Sequence, residues 1–375
     1  MAPSVYSKLF LVAAISITGA LAQSCGLADL ADDCEIKGLP NATALCGAAA
    51  TSSGSTAAYV FAHASNGTVS AYEADSTTGV LTFLDSITSG SPPDIASIVA
   101  HPTLPFIYTV EGGAVDGLSF DTATGLLTRL SGFPVTHAHN GYSLFMNPTG
   151  TKLFHGTLSG SVVIYSVNQS TGALTLLSDS VWQDCYSMAL NTAETKLYCI
   201  DQGQLHTATL LASGAFSVHA ASVAGSANGI RLVPNTSFMF SSSASGGIIY
   251  RHTINAGTQH PAAGVNTGLN LVNIRPLAHP TGSHVILPLS TGEVRSYSID
   301  STTGVLTLTD TLAASVGLRW PAMSTDGAFV YFPTGAASVG AASFNSSSGD
   351  LATVTGSPFS TQGNGTPVAV TTGSY

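Results

Sequence analysis

From about residue 56 to its end, the chain alternates short apolar runs with turns rich in Gly, Pro, Asn and Thr. Residues 142–178 illustrate the pattern, with predicted strands over Tyr142–Asn147, Lys152–Thr157, Ser161–Val167 and Ala173–Ser178. Short apolar runs bounded by turn residues indicate β-strands, and no apolar period of about 3.6 residues intervenes that would indicate helices. The pattern therefore predicts an all-β chain.

A turn followed by a β-rich run recurs along this region. The clearest copies are Thr78–Thr82, Thr124–Thr128, Thr171–Thr175 and Thr303–Thr307, and weaker copies are Ser213–Ser217, Ala256–Thr258 and Ser348–Ala352. The glycines of successive copies are 46, 47, 42, 43, 47 and 45 residues apart. Seven units of about 45 residues, each with room for four short strands, are typical of propeller blades. We predict a seven-bladed β-propeller with four-stranded blades over residues 56–375.

The two ends of this region complement each other. The first unit, Ala57–Thr88, has room for only three strands, and the last segment, Thr366–Ser374, supplies one more. We therefore predict that the C-terminal strand closes the ring by joining the N-terminal blade as its innermost strand.

The first 22 residues have the order of a secretory signal. They carry Lys8, then the apolar stretch Leu9–Leu21, and they end in the small-residue pattern Ala20-Leu21-Ala22. This order predicts a signal peptide over residues 1–22, followed by a cysteine-bearing extension over residues 23–55. No later stretch is long and apolar enough for a membrane span. We expect a secreted protein, extracellular or cell-wall associated, with no membrane span.

Two further features fit this route. Six Asn-x-Ser/Thr sequons predict N-glycosylation at Asn41, Asn66, Asn168, Asn235, Asn345 and Asn364. Cys185 and Cys199 flank a predicted hairpin centred near residue 192, so we expect them to face each other on adjacent strands and form a disulfide. Any pairing among Cys25, Cys34 and Cys46 leaves one thiol, and the sequence does not choose among them.

Composition excludes several classes of function. Charged residues make up 8% of the chain and its formal net charge is −10, so no basic field is present to bind nucleic acid. The sequence has no HExxH motif and no Cys/His set with zinc spacing, and its Gly-rich stretches precede no predicted helix that could bind a dinucleotide. We expect neither a metal nor a cofactor, and a monomer in solution.

Three of the six arginines fall in turns that lead into predicted innermost strands. Arg231, Arg275 and Arg319 are separated by 44 and 44 residues, so repeat symmetry places them around one mouth of the ring. Planar guanidinium groups suit carboxylate ligands, which makes Arg275 and Arg319 candidate catalytic residues and Arg231 a candidate substrate-binding residue. The alternative is that each pairs with an acid and only tightens the ring. Aromatic side chains of the same turns, Tyr142, Tyr186 and Trp320, are expected to line the pocket.

The segment Tyr297–Thr307, echoed at Tyr72–Thr82 and Tyr165–Thr175, resembles the blade signature of the lactonase-type seven-bladed propellers. That family includes propeller-type 6-phosphogluconolactonases and carboxy-cis,cis-muconate cyclases. The resemblance covers nearly all of residues 56–375 and implies the fold more strongly than the reaction.

Three further candidate catalytic residues come from this resemblance. His137 and His139, in the turn His-Ala-His, are similar to a family motif in which a histidine reaches the mouth, and Glu111 resembles a family glutamate at a strand end. A histidine or a carboxylate there could transfer a proton. The chain departs from the family by three extra residues between His139 and the next proline, and by Trp320 where the family has histidine after arginine.

These features predict a secreted enzyme of the muconate-cyclase type that forms or opens a lactone. Its substrate would be a small carboxylate or lactone, in particular an unsaturated polycarboxylate, and the reaction an isomerisation by intramolecular lyase chemistry or lactone hydrolysis. The alternative is a non-catalytic secreted or cell-wall glycoprotein that binds glycans or proteins.

Overall fold

The computed structural model describes residues 57–88, 97–182, 184–201, 204–211, 214, 216–218, 222–224, 227–243, 247–254, 259–266, 275–289, 291–317, 320–363 and 365–375. The predicted signal peptide (1–22), the extension (23–55), Cys25, Cys34, Cys46, Asn41 and Asn364 lie outside these residues, as does Arg319. No described segment forms a helix with the length and hydrophobicity needed to cross a membrane.

Within the described residues, the strands form seven antiparallel sheets, each of which is one blade. Blade 1 contains β1 (Ala58–Ala64), β2 (Thr68–Ala74) and β3 (Leu81–Thr88); blade 2 contains β4 (Ser97–Ala100), β5 (Phe106–Glu111), β6 (Ala114–Phe120), β7 (Leu127–Arg129) and β8 (Val135–Thr136); blade 3 contains β9 (Gly141–Met146), β10 (Lys152–Thr157), β11 (Ser161–Val167) and β12 (Leu174–Val181). Blade 4 contains β13 (Ser187–Leu190), β14 (Lys196–Asp201), β15 (Gln204–Leu210), β16 (Phe216–Val218) and β17 (Ser222–Ala224); blade 5 contains β18 (Ala227–Leu232), β19 (Phe238–Ser243), β20 (Ile248–Ile254) and β21 (Gln259–Asn266). Blade 6 contains β22 (Leu277–Ala278), β23 (His284–Leu289), β24 (Glu293–Ile299) and β25 (Leu306–Ala313); blade 7 contains β26 (Ala322–Met323), β27 (Phe329–Pro333), β28 (Ser338–Phe344), β29 (Leu351–Thr353) and β30 (Phe359–Ser360).

Blades 2, 4 and 7 keep the four-stranded plan, because their fourth strand is split into two short segments that pair with the same third strand. The last strand, β31 (Pro367–Ser374), pairs antiparallel with β1. In this ladder Phe61 lies opposite Thr371, which makes β31 the innermost strand of blade 1. The predicted seven-bladed fold and its closure by the C-terminal strand are confirmed.

The Thr-Gly turn that carries the repeat has a structural cause at each copy. In blade 6, Oδ1 of Asp300 accepts hydrogen bonds from the N–H groups of Thr302 and Thr303, and Gly304 follows with a φ of 68°. A Cβ atom on Gly304 would lie 2.7 Å from the ring of Phe238 in blade 5. Glycine is thus required both by the left-handed backbone and by the neighbouring blade. Equivalent turns begin at Asp75, Asp121, Asn168 and Asn345.

Adjacent blades are also joined by apolar clusters and by hydrogen bonds between them. The hydroxyl of Tyr108 in blade 2 donates to the carbonyl of Gly172 in blade 3 (2.7 Å). The outermost strands are linked as well, because the carboxylate of Asp85 in blade 1 accepts the N–H of Leu127 in blade 2 (2.8 Å). Buried tyrosines and aliphatic residues of neighbouring blades form a shared core, so the ring holds its innermost strands in fixed positions.

The structure contains the predicted disulfide between Cys185 and Cys199, whose Cα atoms are 5.6 Å apart. The register differs from the prediction, because Met188 and not Cys185 lies opposite Cys199 in the ladder of β13 and β14. Cys185 precedes β13, so the bridge ties the segment that leads into the innermost strand of blade 4 to its second strand.

Candidate functional site

The innermost strands surround a central cavity of about 220 Å³. Because the strands of a blade are antiparallel, the turn leading into the first strand and the turn between the second and third strands lie at one end of the ring, which we call the mouth. All seven blades contribute to the cavity lining, through Ile98, Leu144, Met188, Arg231, Arg275, Trp320 and Thr371 among others. Most of the described side chains in the lining are apolar, and Arg231 and Arg275 are its charged residues among those that the structure describes.

Arg231 lies on β18, the innermost strand of blade 5. Its side chain is exposed to solvent, yet the protein around it lowers its pKa, because the charged guanidinium is partly desolvated. An arginine that lines a cavity in the middle of a ring is both accessible to solvent and surrounded by protein. Its charge is therefore accessible to a ligand in the cavity.

Arg275 precedes the innermost strand of blade 6, and its guanidinium crosses towards blades 4 and 7. Nη2 donates a hydrogen bond to the carbonyl oxygen of Tyr186 (3.2 Å), and the guanidinium carbon lies 3.5 Å from the centroid of the Trp320 ring. Burial lowers the pKa of Arg275 to about 9, and the nearby charge of Arg231 contributes to the lowering.

Within the described residues, the ion pairs are Arg129–Asp116, His139–Asp179, His206–Asp201 and Arg295–Glu293. None of them involves Arg231 or Arg275. Two guanidinium groups that repel each other, face one cavity and have no carboxylate partner in the described part of the chain form a site suited to an anion.

Three aromatic rings meet beside Arg275. The centroid of the Tyr142 ring lies 4.8 Å from that of Tyr186 and 5.9 Å from that of Trp320. Trp320 is buried and lines the cavity, whereas Tyr142 and Tyr186 are half-buried. The structure thus brings together five of the residues singled out from the sequence: Arg231, Arg275, Tyr142, Tyr186 and Trp320.

Two carboxylates lie near this aromatic cluster. Asp184 and Asp201 both raise the pKa of Tyr186, although burial of its hydroxyl has the larger effect. Burial and the charge of Asp184 together raise the pKa of Asp201, whose Oδ1 has no hydrogen-bond partner. Oδ2 of Asp201 lies 3.9 Å from Nε2 of His206. A carboxyl group in these surroundings can hold a proton at a higher pH than an exposed one.

Asp201 was not among the residues singled out from the sequence, although the sequence contains a signal for it. Asp201 ends β14 as Glu111 ends β5, and the 90 residues between them are two repeat periods. The repeat that places Glu111 at a strand end therefore also places Asp201 there. Glu111 itself pairs through its backbone with Ala114, and its side chain is not among those described.

His137 and His139 do not line the central cavity. Nε2 of His139 lies 3.4 Å from the carboxylate of Asp179 on β12, the outermost strand of blade 3. The His137 ring lies 4.2 Å from that of His155, a fully buried side chain, and the His137 N–H donates to the carbonyl of Gly113 in blade 2. The pKa of His137 is lowered, chiefly by burial and then by His139.

These two histidines, with His155 and Asp179, therefore form a second polar cluster between blades 2 and 3. The turn that carries the histidines does lead into β9, as the sequence indicates, but their side chains point away from the ring axis. In the described part of the chain, no group of three or more His, Cys, Asp or Glu side chains is arranged to hold a metal ion.

Four predicted glycosylation sites lie on described residues, and all four asparagines are exposed: Asn66, Asn168, Asn235 and Asn345. The side-chain oxygens of Asn168 and Asn345 accept backbone N–H groups in the Thr-Gly type turns. Glycosylation at these positions stays a prediction.

Comparison with solved structures places this geometry in a known fold. The chain is similar to a protein of Bacteroides fragilis assigned as a 6-phosphogluconolactonase, with a TM-score of 0.71 and 16% identity over 86% of this chain and 99% of that one. It is similar to the periplasmic gluconolactonase of Pseudomonas aeruginosa, with a TM-score of 0.69 and 13% identity over 84% of this chain and 99% of that one. The chain has the lactonase-type propeller fold. No protein-family model and no curated protein sequence matches it. At these identities the similarity establishes the fold and leaves the reaction to be argued from the site.

Proposed function

We propose that this protein is a secreted enzyme that opens or forms the lactone ring of a small carboxylate substrate. The observation that carries the proposal is the pair Arg231 and Arg275, which share a cavity of about 220 Å³ without a carboxylate partner among the described residues. The similarity to lactonase-named propellers supports the same reaction class.

The pair of cations favours an unsaturated polycarboxylate over a sugar acid with a single carboxylate. Most described side chains of the lining are apolar, but the surface that faces the cavity is more polar than apolar, and Arg231, Arg275 and hydroxyl groups such as those of Ser187 and Thr371 contribute to it. A substrate with two carboxylates can bind both guanidinium groups, whereas a single carboxylate can leave one of them without a counter-ion.

The arginines can stabilise the charge that develops during ring closure. One carboxylate oxygen of the substrate adds to the carbon–carbon double bond, and the electron pair of that bond moves towards the second carboxylate. A guanidinium held at that carboxylate stabilises the growing negative charge, and such preorganised donors are worth about 3–4 kcal/mol each. A proton then adds to the carbon that carries the charge. Ring opening by elimination reverses these steps, whereas hydrolysis adds water at the lactone carbonyl and places the charge on its oxygen.

Asp201 is our candidate for the proton transfer, because its pKa is raised and its Oδ1 atom is buried without a hydrogen-bond partner. His137, His139 and Glu111 stay candidates from the family resemblance. Asp201, His137 and His139 do not line the central cavity, so each of them could act only on a substrate or through a proton path that extends beyond it.

The direct test is an absorbance assay on purified protein with 3-carboxymuconate, its lactone and 6-phosphogluconolactone. We expect turnover of the muconate pair, loss of that turnover in the double variant Arg231→Met and Arg275→Met, and little change in the control Arg251→Met. Arg251 is a suitable control because it binds the carbonyl of Thr303 between blades 5 and 6, away from the cavity. Turnover that survives the double substitution would contradict the site assignment, and turnover of the sugar lactone alone would contradict the substrate class.

A non-catalytic glycoprotein that binds glycans or proteins is the second candidate function. It is favoured by the packing of Tyr142, Tyr186 and Trp320 against one another and against Arg275, which narrows access beside the cavity. If none of the three compounds changes over hours while the folded protein is retained by immobilised cell-wall glycans, this second function is supported.

A further inference from the structure

A second and larger cavity lies between blades 6 and 7. Its volume is about 450 Å³, and we call it the blade 6–7 pocket. Blade 6 contributes Leu312 and Ser315 to its lining, and blade 7 contributes Phe332, Thr353 and Ser357, together with the backbone around Gly340. None of the described residues that line it carries a charge.

Comparison of blade 7 with blade 2 explains why this space is open. In blade 2, Leu118 pairs with Arg129, and the equivalent pair in blade 7 is Ala342 with Thr353. Two residues earlier on the third strand stand Asp116 in blade 2 and Gly340 in blade 7. Thr353 and Gly340 therefore occupy the positions of a large ion pair.

That ion pair fills the corresponding space between blades 1 and 2. Asp116 is fully buried, and Nη2 of Arg129 lies 2.9 Å from its carboxylate and 3.4 Å from the carbonyl of Thr88, the last residue of β3. The residue equivalent to Thr88 in blade 6 is Ala313, the last residue of β25, and it lines the blade 6–7 pocket. Blades 1 and 2 thus fill this space with a carboxylate and a guanidinium. Blade 7 has glycine and threonine at the same positions, so the space between blades 6 and 7 is open.

Phe332 shapes the floor of the pocket. A Cβ atom at Gly340 would lie 2.2 Å from the Phe332 ring, so the ring rests directly on the glycine backbone. Blade 2 has the small Thr109 at the position of Phe332. Blade 7 therefore has a buried aromatic ring beneath an open space, whereas blade 2 has a charged pair in the corresponding space.

The lining selects a ligand class. Because there is no charged partner, a charged ligand would lose its hydration without compensation. The apolar surface comes mainly from Leu312 and neighbouring alanines, because the Phe332 ring is buried, and the polar side-chain groups are a few hydroxyls. The hydroxyl oxygen of Ser357 accepts the N–H of Ala341 (2.9 Å), which leaves the Ser357 O–H as a donor. Pockets of this size with a mainly apolar lining and a few polar groups are typical of small-molecule sites.

We propose that the blade 6–7 pocket binds an uncharged aromatic compound of the phenol class, with the ring against Leu312 and Ala314 and the hydroxyl group at Ser357 and Thr353. This site is separate from the central cavity, because the two linings share no residue. Its test is a binding measurement and does not depend on the proposed enzymatic activity.

The experiment is a titration of the full-length protein with phenol, followed by calorimetry and by ligand-detected NMR. The variant Thr353→Trp places an indole in the pocket from an exposed position, and the control Thr82→Trp adds the same side chain at an exposed position on the outermost strand of blade 1. We expect saturable phenol binding to the unaltered protein, a rise in Kd of about tenfold or more in Thr353→Trp because the space is filled, and an unchanged Kd in Thr82→Trp.

A second variant covers the case in which Thr353→Trp does not fold. The triple substitution Phe332→Thr, Gly340→Asp and Thr353→Arg introduces the ion pair of blade 2 into the pocket and should abolish phenol binding. The proposal is overturned if phenol does not bind saturably, if both filled variants bind it as tightly as the unaltered protein, or if benzoate or glucose binds at this site as tightly as phenol.

Discussion

The substitution Arg275→Met separates a functional cation from a structural one. Burial lowers the pKa of Arg275 to about 9, whereas the pKa of a free arginine is about 12.5. This difference means that the charged side chain destabilises the folded protein by at most about 4–5 kcal/mol. Against this, the contact with the Trp320 ring contributes about 0.5–2 kcal/mol and the hydrogen bond to the Tyr186 carbonyl about 1.5–3 kcal/mol. Methionine keeps the apolar stem and removes the charge.

The two sides of this balance predict that the free energy of unfolding of Arg275→Met lies between about 1 kcal/mol below and about 3 kcal/mol above that of the unaltered protein, while carboxylate binding is lost. The assay is urea unfolding at neutral pH followed by tryptophan fluorescence and circular dichroism. The matched control is Arg129→Met, which leaves Asp116 buried without its partner and should lower the free energy of unfolding by roughly 3 kcal/mol.

A large loss of stability confined to Arg129→Met would show that Arg275 is retained for a ligand and Arg129 for the fold. If Arg275→Met lowers the free energy of unfolding by as much as Arg129→Met does, Arg275 is a structural cation and the reasoning about the cavity is refuted.

Three further predictions concern the scaffold. Burial lowers the pKa of His252 to about 4, so the unfolded chain binds a proton more readily, and this residue should contribute about 3 kcal/mol to the loss of stability as the pH drops from 6.5 to 4. His252→Gln should reduce the pH dependence of urea unfolding by that amount, and an unchanged pH dependence would contradict this prediction. Gly172→Ala should cost about 2–4 kcal/mol in thermal unfolding, because its φ is 70° and a Cβ would lie 2.7 Å from a Leu130 methyl carbon, whereas Gly132→Ala, with no atom within 4 Å, should cost only about 1 kcal/mol; equal costs would rule out the blade contact as the cause. Replacing both Cys185 and Cys199 by alanine should lower the free energy of unfolding by about 3 kcal/mol in non-reducing buffer, and an unchanged midpoint would show that the bridge adds nothing to the fold.

The fold was predictable from the sequence because one physical requirement recurs at six turn glycines of the described residues. Gly304 must adopt a left-handed backbone and must also let the ring of Phe238 approach, and the equivalent glycines meet similar demands. The resulting period makes both the number of blades and the strand that closes the ring visible. The register of paired strands was harder to predict than the number of blades, as Cys185 shows. Counting residues from the centre of a hairpin places Cys185 opposite Cys199, but Cys185 lies in the irregular segment before β13, and Met188 takes that position.

The site was predictable only in part. Repeat symmetry correctly indicates that Arg231 and Arg275 share a cavity, because both lie where blades begin. It does not indicate the side-chain directions of His137 and His139, which follow from contacts with Asp179 and His155 on other strands of the same blade.

Other parts of the molecule could not be inferred from single positions at all. The role suggested for Asp201 depends on its burial near Asp184, which a strand-end aspartate does not reveal in the sequence. The blade 6–7 pocket depends on two small residues that become neighbours only when the register of β28 and β29 is known.

The most direct test of the central claim is a ligand-bound crystal structure obtained with 3-carboxymuconate or its lactone. We predict a carboxylate group of the ligand in the central cavity, within hydrogen-bonding distance of the guanidinium groups of both Arg231 and Arg275. A ligand bound elsewhere on the protein, or a cavity in which these two guanidinium groups contact only protein acids, would contradict it.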